Sequence, residues 1–335
     1  MRKKYNVAVV GATGAVGTEM LRVLQERKFP VARIRLLASK RSAGRRVAFN
    51  GATRRVEELD KRAFDGMDLA LFSAGAGRSL EFAPEAAKRG AVVVDNSSAF
   101  RMTSDVPLIV PEVNSHALRR HKGIIANPNC STIIMLVALK PLHDAAKLRR
   151  IIVATYQSVS GAGAKAMWQL LTETQEVLKG LKAQGARFKV ESFEQSRVSS
   201  LESRVLPQQI AFNVIPQVDV FLENHYTKEE MKMVNETRKI LEEPALPVSA
   251  TCARVPVFIA HSEAIWIETQ RPLSPDQARE RLANAPGVRL VDDPARQQYP
   301  LPIDAAARDE VLVGRIRRDE TVEHGLALWG SGDNL

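Results

Sequence analysis

The stretch Gly11-Ala12-Thr13-Gly14-Ala15-Val16-Gly17 constrains this chain more than any other. It follows a buried-strand pattern, Asn6–Val10, and precedes Met20, Leu21, Val23 and Leu24, which recur at helical spacing. Three glycines between a strand and a helix let the backbone approach a phosphate, while the helix N-terminus supplies N–H donors. The spacing is G-x-x-G-x-x-G, not the G-x-G-x-x-G of the commonest dinucleotide fingerprint. Its strand-to-helix setting gives it weight; a tight turn without a ligand is the plainer reading. Ile34–Leu37, Leu69–Phe72 and Val92–Val94 follow as short apolar strands separated by helical or loop sequence. That alternation predicts a parallel, doubly wound sheet over about the first 130 residues.

The rest of the chain changes character. Ile151–Ser158, Ala211–Val218, Val248–Val257, Ala264–Thr269 and Val311–Arg317 read as strands with more polar alternation. Ala164–Ala183, Lys228–Glu242 and Pro275–Ala285 read as helices. Together they imply an α+β domain whose sheet carries helices on one face and leaves the other free for self-association. Gln184–Gln209 is polar with weak periodicity and reads as a peripheral excursion or a subunit contact.

With 335 residues, two domains are the natural division. Only two cysteines occur, so a disulfide framework is excluded and a reducing, cytoplasmic compartment is expected. Met1-Arg2-Lys3-Lys4 ahead of Val7–Val10 has the look of a signal peptide, but Gly11, Gly14, Gly17 and Glu19 break the apolar stretch too early. No run of about 18 apolar residues exists, so no membrane partner is expected. The net charge of +10 is scattered and accompanied by no nucleic-acid motif. A solvated basic surface suited to anionic ligands is the better reading, with no nucleic-acid partner.

Three places carry candidate chemistry. At the end of the second strand, NAD-binding chains usually place an acid against the ribose 2′-hydroxyl. Here the segment is Ala38-Ser39-Lys40-Arg41-Ser42, whose two cations and two hydroxyls suit a 2′-phosphate and point to NADP. As an ordinary basic surface turn it leaves the cofactor open.

Further on, Asn127-Pro128-Asn129-Cys130-Ser131-Thr132 runs into the apolar Ile133–Leu139. Pro128 disfavours helix at Asn127, so a helix starting at or just after Asn129 puts the Cys130 sulfur beside free N–H groups that stabilise a thiolate. Cys130 is thus a candidate nucleophile, against the alternative of a small buried core residue. A thiol nucleophile needs a proton partner. His261 is the candidate, set between strand-like segments with Arg254, a candidate anion binder, seven residues earlier. By its spacing alone His261 reads as structural. No metal is expected, because Cys130 and Cys252 lack paired-ligand spacing and no two histidines stand at i,i+4. A papain-like protease shares the Cys-to-His separation but has no use for a phosphate loop.

The segments GATGAVG (11–17), NSSAFRM (96–102), PEVN (111–114), NPNCST (127–132), YQSVSGAG (156–163), AFNVIPQVD (211–219), EEMKMVNETRKI (229–240) and RVPVFIAHSEA (254–264) span nearly the whole chain. In that order they resemble the aspartate-semialdehyde dehydrogenase family. The resemblance implies an α/β fold with an N-terminal Rossmann-type NADP-binding domain, residues 1–130, and an α+β catalytic and dimerisation domain, residues 131–319. The tail from about residue 320 to 335 would pack back on the first domain. It also implies a homodimer, or a homotetramer of such dimers.

The implied activity is the NADP-dependent interconversion of L-aspartyl 4-phosphate and L-aspartate 4-semialdehyde with phosphate, on the route to lysine, threonine and methionine. Cys130 would attack the acyl phosphate and form a thioester, His261 would be the general acid/base, and Gln157 would face the reacting group. Arg254 would pair with the substrate carboxylate, Glu229 with its amino group, and Arg101 and Lys232 with phosphate, with Asn129 also binding substrate. For NADP the motifs imply Gly11, Thr13, Gly14, Ala15, Val16, Ser39, Lys40, Arg41, Ser42, Ser73, Ser160, Gly161 and Asn334. Without the family, Glu229 and Lys232 read as an ordinary surface i,i+3 pair.

Two departures stand out. Ala260 occupies a place where the family commonly has glycine. After Gly332-Asp333-Asn334-Leu335, related sequences usually continue into a helix packing on the cofactor domain, which carries an expectation of weakened cofactor binding or stability. N-acetylglutamyl-phosphate reductase and glyceraldehyde-3-phosphate dehydrogenase share the thioester logic but not the cysteine motif. A catalytically silent homologue would have no reason to keep Cys130, Gln157, Arg254 and His261 together.

Overall fold

In the computed structural model, which describes residues 3–183 and 205–335, the N-terminal run forms β1 (Tyr5–Val10), fully buried from Val7 to Val10. There follow α1 (Ala15–Glu26), β2 (Val31–Ala38), β3 (Arg46–Phe49), β4 (Ala52–Glu58), β5 (Leu69–Phe72), α2 (Ala76–Lys88), β6 (Val92–Asp95), α3 (Pro111–Asn114) and β7 (Ile124–Ala126). The strands form one sheet in the order β3-β4-β2-β1-β5-β6-β7, parallel except for the β3–β4 hairpin. Central strands buried on both faces need no polar alternation, so they are continuous apolar runs in the sequence. The hairpin was not expected: Arg45, Arg46, Arg54 and Arg55 give it an exposed, charged exterior with little apolar signal.

Strand order reverses on either side of β1, which puts Gly11 and Ser73 at the carboxyl ends of adjacent strands, where open α/β sheets hold ligands. Gly11 has φ +88°, and a Cβ there would run into the Ser73 carbonyl. A Cβ on Gly17 would run into the Gly11 carbonyl, so the start of α1 is pressed directly onto the loop.

The remaining elements are α4 (Cys130–Ala146), β8 (Leu148–Gln157), α5 (Ala164–Ala183), α6 (Lys228–Ile240), β9 (Val248–Arg254), β10 (His261–Thr269), α7 (Pro275–Ala283), β11 (Val288–Leu290), α8 (Pro302–Ala305), β12 (Val311–Asp319) and β13 (Gly325–Gly332). Their strands make a second, mixed sheet in the order β11-β12-β13-β10-β8-β9. Register sorts its side chains into rows. Cys252, Thr155, Glu263 and Gly330 are neighbours across four strands, and Ala250, Val153, Ile265 and Leu328 form the next row on the same face. Ile134 of α4 lies against Gly332 on this face, where a Cβ would collide with it. The opposite face carries Ala154, Tyr156, Ala264, Trp266 and Trp329, all only partly buried, with the Tyr156 and Trp329 rings 5.2 Å apart.

The chain divides into one unit of Met1–Asn129 with Asn235–Pro244, and a second of Cys130–Val234 with Ala245–Leu335. Two expectations change. The tail belongs to the second unit, because Gly325–Gly332 is hydrogen-bonded to β10 on one side and β12 on the other. Its glycines hid that strand from pattern reading. Ala211–Val218 is not a strand; only Ile215 bridges, to Arg254, since Pro216 has no N–H to extend a ladder and Phe212 has φ +57°. The polar stretch from Gln184 lies outside the described residues as far as 204. Among those described, no helix is long and apolar enough to cross a membrane.

Because the Gly17 approach is backbone against backbone, no rotamer change relieves a methyl there. Gly17→Ala is expected to cost about 2 kcal/mol or more, read as a lowered unfolding midpoint in urea. An unchanged midpoint would show that the loop can move aside.

Candidate active site

The ends of β8 and β9 and the start of β10 bring three candidate residues abreast. Gln157 pairs with Arg254, and the register of Tyr156 with Ser262 sets His261 on the same face as Gln157. All three are buried. The Ser158 backbone holds two of them: its N–H donates to His261 Nδ1 at 3.0 Å, and its carbonyl accepts from Arg254 Nη1 at 2.7 Å. An accepting Nδ1 assigns the proton of the neutral ring to Nε2. Burial first, and then the Arg254 charge, pull His261 down to about 3, so the ring is neutral at physiological pH.

His261 Nε2 and Arg254 Nε are both buried without a hydrogen-bond partner. Gly161 leaves room beside them, since a Cβ there would come within 3.1 Å of Arg254 Nη1 and 3.3 Å of His261 Nε2. The arrangement therefore offers two unspent N–H donors to an oxygen-bearing ligand.

Asn334 knots this region together. Its Oδ1 accepts from Ser158 Oγ at 3.0 Å, Ser160 Oγ at 2.9 Å and the Ala260 N–H at 3.0 Å. Its Nδ2 is buried and unpartnered, a donor that suits the carboxamide of a nicotinamide. Ala260 has φ +72°, a backbone conformation that favours glycine. Left-handed backbone costs an alanine about 1 kcal/mol. The Ala260 methyl is buried against Ala305 and Leu312, and that burial returns a similar amount, about 0.8 kcal/mol.

Glu229 and Lys232 form no ordinary surface pair. Glu229 is buried; its Oε1 accepts from Gln157 Nε2 at 3.2 Å and its Oε2 meets Lys232 Nζ at 3.1 Å. Lys232 also reaches Asp219 at 2.8 Å. Burial lowers the affinity of Lys232 for its proton, but Glu229 and Asp219 outweigh it and hold the ammonium above its ordinary value.

Cys130 is the first residue of α4 and is half-buried, so the proline turn starts the helix at the expected place. Burial lowers the proton affinity of Arg254, and the nearby Glu229 works against that. In the first unit, Arg101 is buried and anchored by three bonds: Nε to the Ser97 carbonyl, Nη2 to the Asn96 carbonyl and Nη1 to Glu236 Oε1. Two of its five N–H groups remain for a ligand. Asn129 is buried, and its backbone N–H donates to Glu236 Oε2.

Of the nucleotide-loop residues, Gly14 caps α1 without any side chain of its own, leaving N–H groups of Ala15 and Val16 at an open helix end. Thr13 and Ser73 are partly exposed beside that end. Lys40 and Arg41 are exposed and, among the described residues, unpaired, while Ser39 and Ser42 close the turn with an N–H···O bond of 2.8 Å. These features fit a dinucleotide phosphate: a cradle that only glycine permits, an uncapped helix and free cations.

The fold and these sites define a two-domain semialdehyde dehydrogenase. A family model described as the semialdehyde dehydrogenase NAD binding domain matches residues 6–121, and one described as the semialdehyde dehydrogenase dimerisation domain matches residues 139–335. The chain belongs to the aspartate-semialdehyde dehydrogenase family. It is 52% identical to the aspartate-semialdehyde dehydrogenase of Aquifex aeolicus, over 99% of this chain and 93% of that protein. Its fold matches the crystal structure of aspartate semialdehyde dehydrogenase II from Vibrio cholerae with a TM-score of 0.91 at 47% identity, over 99% of this chain and 94% of that one. The same enzyme complexed with ASA matches with a TM-score of 0.91 at 46% identity, with the same coverage.

Sequence reasoning missed Ser158, Asp219, Glu236 and Glu263. Glu236 had a signal: Glu229, Lys232 and Glu236 recur at i, i+3 and i+7 on α6, one stripe of a helix. Glu263 follows His261 by two residues, the strand period, and so shares its face. It is fully buried with neither oxygen hydrogen-bonded, and burial, then Glu229, raise it well above the usual carboxylate range.

The sign of the linkage follows. Above pH 4.5 the unfolded chain releases this proton while the folded chain keeps it, so folding loses about 1.4 kcal/mol per pH unit until the folded value is reached. Glu263→Gln cannot ionise. It is expected to match the wild type near about pH 4 and to melt progressively higher than it as the pH rises through the range above the ordinary carboxylate value. A constant difference in melting temperature across that range would mean Glu263 is ionised in the fold.

Proposed function

We propose that the protein is an NADP-dependent, phosphorylating aspartate-semialdehyde dehydrogenase working through a covalent thioester on Cys130. The reaction interconverts L-aspartyl 4-phosphate and L-aspartate 4-semialdehyde, a step towards lysine, threonine and methionine. The observation that carries this reading is the row of Gln157, Arg254 and His261, the last two held by the Ser158 backbone, in the unit that opens with Cys130.

In the biosynthetic direction the Cys130 thiolate attacks the acyl carbon, and charge develops on the former carbonyl oxygen. The His261 Nε2–H donates to that oxygen. From that position the neutral ring stabilises the oxyanion by hydrogen bonding and handles the proton at that oxygen as general acid/base. Gln157 is oriented by Thr155 and Glu229 and borders the same position. Collapse breaks the carbon–oxygen bond to phosphate, which Arg101 and Lys232 hold, and leaves the thioester. When NADPH is bound it would supply hydride to the thioester carbon. The resulting thiohemiacetal oxygen again takes the His261 hydrogen bond, and its collapse returns the Cys130 thiolate and the aldehyde. Arg254 Nε–H pairs with the substrate carboxylate and Glu229 with its ammonium, so the buried charges are matched in sign.

Gly11, Thr13, Gly14, Ala15, Val16 and Ser73 would hold the cofactor on the first unit, with Ser39, Lys40, Arg41 and Ser42 at the 2′-phosphate; Ser160, Gly161 and Asn334 would do so on the second. The half-exposed face of Tyr156, Trp266 and Trp329 would pair two chains into a homodimer, singly or within a homotetramer, in the cytoplasm.

The test follows NADPH formation from aspartate semialdehyde, NADP and phosphate. Cys130→Ala is expected to lower kcat by at least about a thousandfold with cofactor binding retained. Equal rates in the two proteins would sink the mechanism, and no rate in either would favour a silent homologue. Lys40→Ala with Arg41→Ala is expected to raise KM for NADP by about tenfold or more while leaving NAD unaffected. A wild-type preference for NAD would refute the cofactor reading.

A further inference from the structure

Two chain segments of the first unit, far apart in sequence from α6, converge on one of its carboxylates. The Glu236 side chain is 2% exposed, so its charge is out of water and must be met by protein donors. Oε1 accepts from Arg101 Nη1 at 3.1 Å, and Oε2 accepts from the Asn129 N–H at 2.6 Å. The two segments are also tied to each other, since Asn127 Nδ2 donates to Asn96 Oδ1 at 2.6 Å while Arg101 Nη2 donates to the Asn96 carbonyl at 3.0 Å. Asn129 is bonded to Cys130.

We infer that Glu236 is a positioning residue that sets two parts of the machinery at once: the Arg101 guanidinium, and the peptide that delivers Cys130 to the start of α4. The inference rests on the proposed reading of Arg101 as a phosphate holder and Cys130 as the nucleophile. A carboxylate is required because donors arrive at both of its oxygens. Glutamine has the same shape but one acceptor, so whichever way its amide lies, one of the two contacts becomes donor against donor. Aspartate keeps the charge but is one methylene too short to span both. Anchored by Glu236 and the two carbonyls, Arg101 can turn only its two remaining N–H groups to a ligand, which is the planar fork suited to phosphate.

The experiment compares the full-length wild type with Glu236→Gln in two measurements. The first is the rate of Cys130 alkylation by iodoacetamide without substrate. Loss of a nearby negative charge alone would speed attack by the thiolate, whereas loss of the hold on Asn129 slows it, by about fivefold or more. The second is KM for inorganic phosphate during aspartate-semialdehyde oxidation. It is expected to rise about tenfold in Glu236→Gln, and the same substitution made in Arg101→Ala is expected to change it by less than about twofold. Glu236→Asp should show both losses, and serves if the glutamine variant does not fold. Unchanged or faster alkylation overturns the inference, as does a phosphate effect that adds in full to that of Arg101→Ala. A wild type with no phosphate-dependent NADPH formation would instead sink the proposed function, and the alkylation rates would still decide the hold of Glu236 on Asn129.

Discussion

The backbone of one residue, Ser158, holds two buried side chains of the second unit. The Ser158 N–H is spent on His261 Nδ1 and the Ser158 carbonyl on Arg254 Nη1, so the two planar peptide groups that meet at one Cα set the tautomer of one side chain and the rotation of the other. A buried imidazole with a free choice of tautomer could present either an acceptor or a donor; here only the donor is possible. Asn334 then fixes Ser158 through its hydroxyl and holds the Ala260 backbone, so the histidine is gripped from both sides. The unspent Nε2–H is a consequence of that grip and not a property of histidine in general.

Charge is handled by the same logic of burial. Arg254 and His261 are both pushed towards their neutral forms by burial, and Glu263 is pushed the same way from the other sign. Histidine and glutamate yield readily, but a guanidinium cannot lose its proton in a protein, so Arg254 remains the charge around which the others settle. Lys232 escapes the trend because two carboxylates, Glu229 and Asp219, lie within 3.1 Å of it. The buried charges of Arg254 and Glu229 have the signs that, in the proposed reading, would match the carboxylate and ammonium of a zwitterionic amino-acid substrate.

Legibility followed physical locality. The central strands of the first sheet were readable because double burial demands unbroken apolar runs, and the loop at Gly11 because only glycine tolerates its approach to Ser73. Cys130 was readable because Pro128 and the apolar run after it dictate where α4 begins. The β3–β4 hairpin escaped because its outer face is arginine. β13 escaped because Gly325, Gly330 and Gly332 carry no side-chain pattern, although glycine at 332 is what admits Ile134. Ala211–Val218 misled because its apolar residues pack in a cluster with Val159 and Leu170 without forming a ladder. Glu229 and Lys232 looked like a surface pair because spacing shows a shared helix face and says nothing of what covers it.

The sequence by itself determined the glycine loop, the point where the helix that opens with Cys130 begins, and, through motifs along nearly its whole length, the family. These are settled within a few residues of chain, by steric rules for glycine and proline and by hydrophobic period. Only the tertiary structure decided that Gln157, Arg254 and His261 stand in one row, that His261 is a neutral donor, and that Glu236 serves both Arg101 and Asn129. Each of those facts depends on strand register or on burial among residues about a hundred positions apart, and neither quantity exists until the sheets have formed.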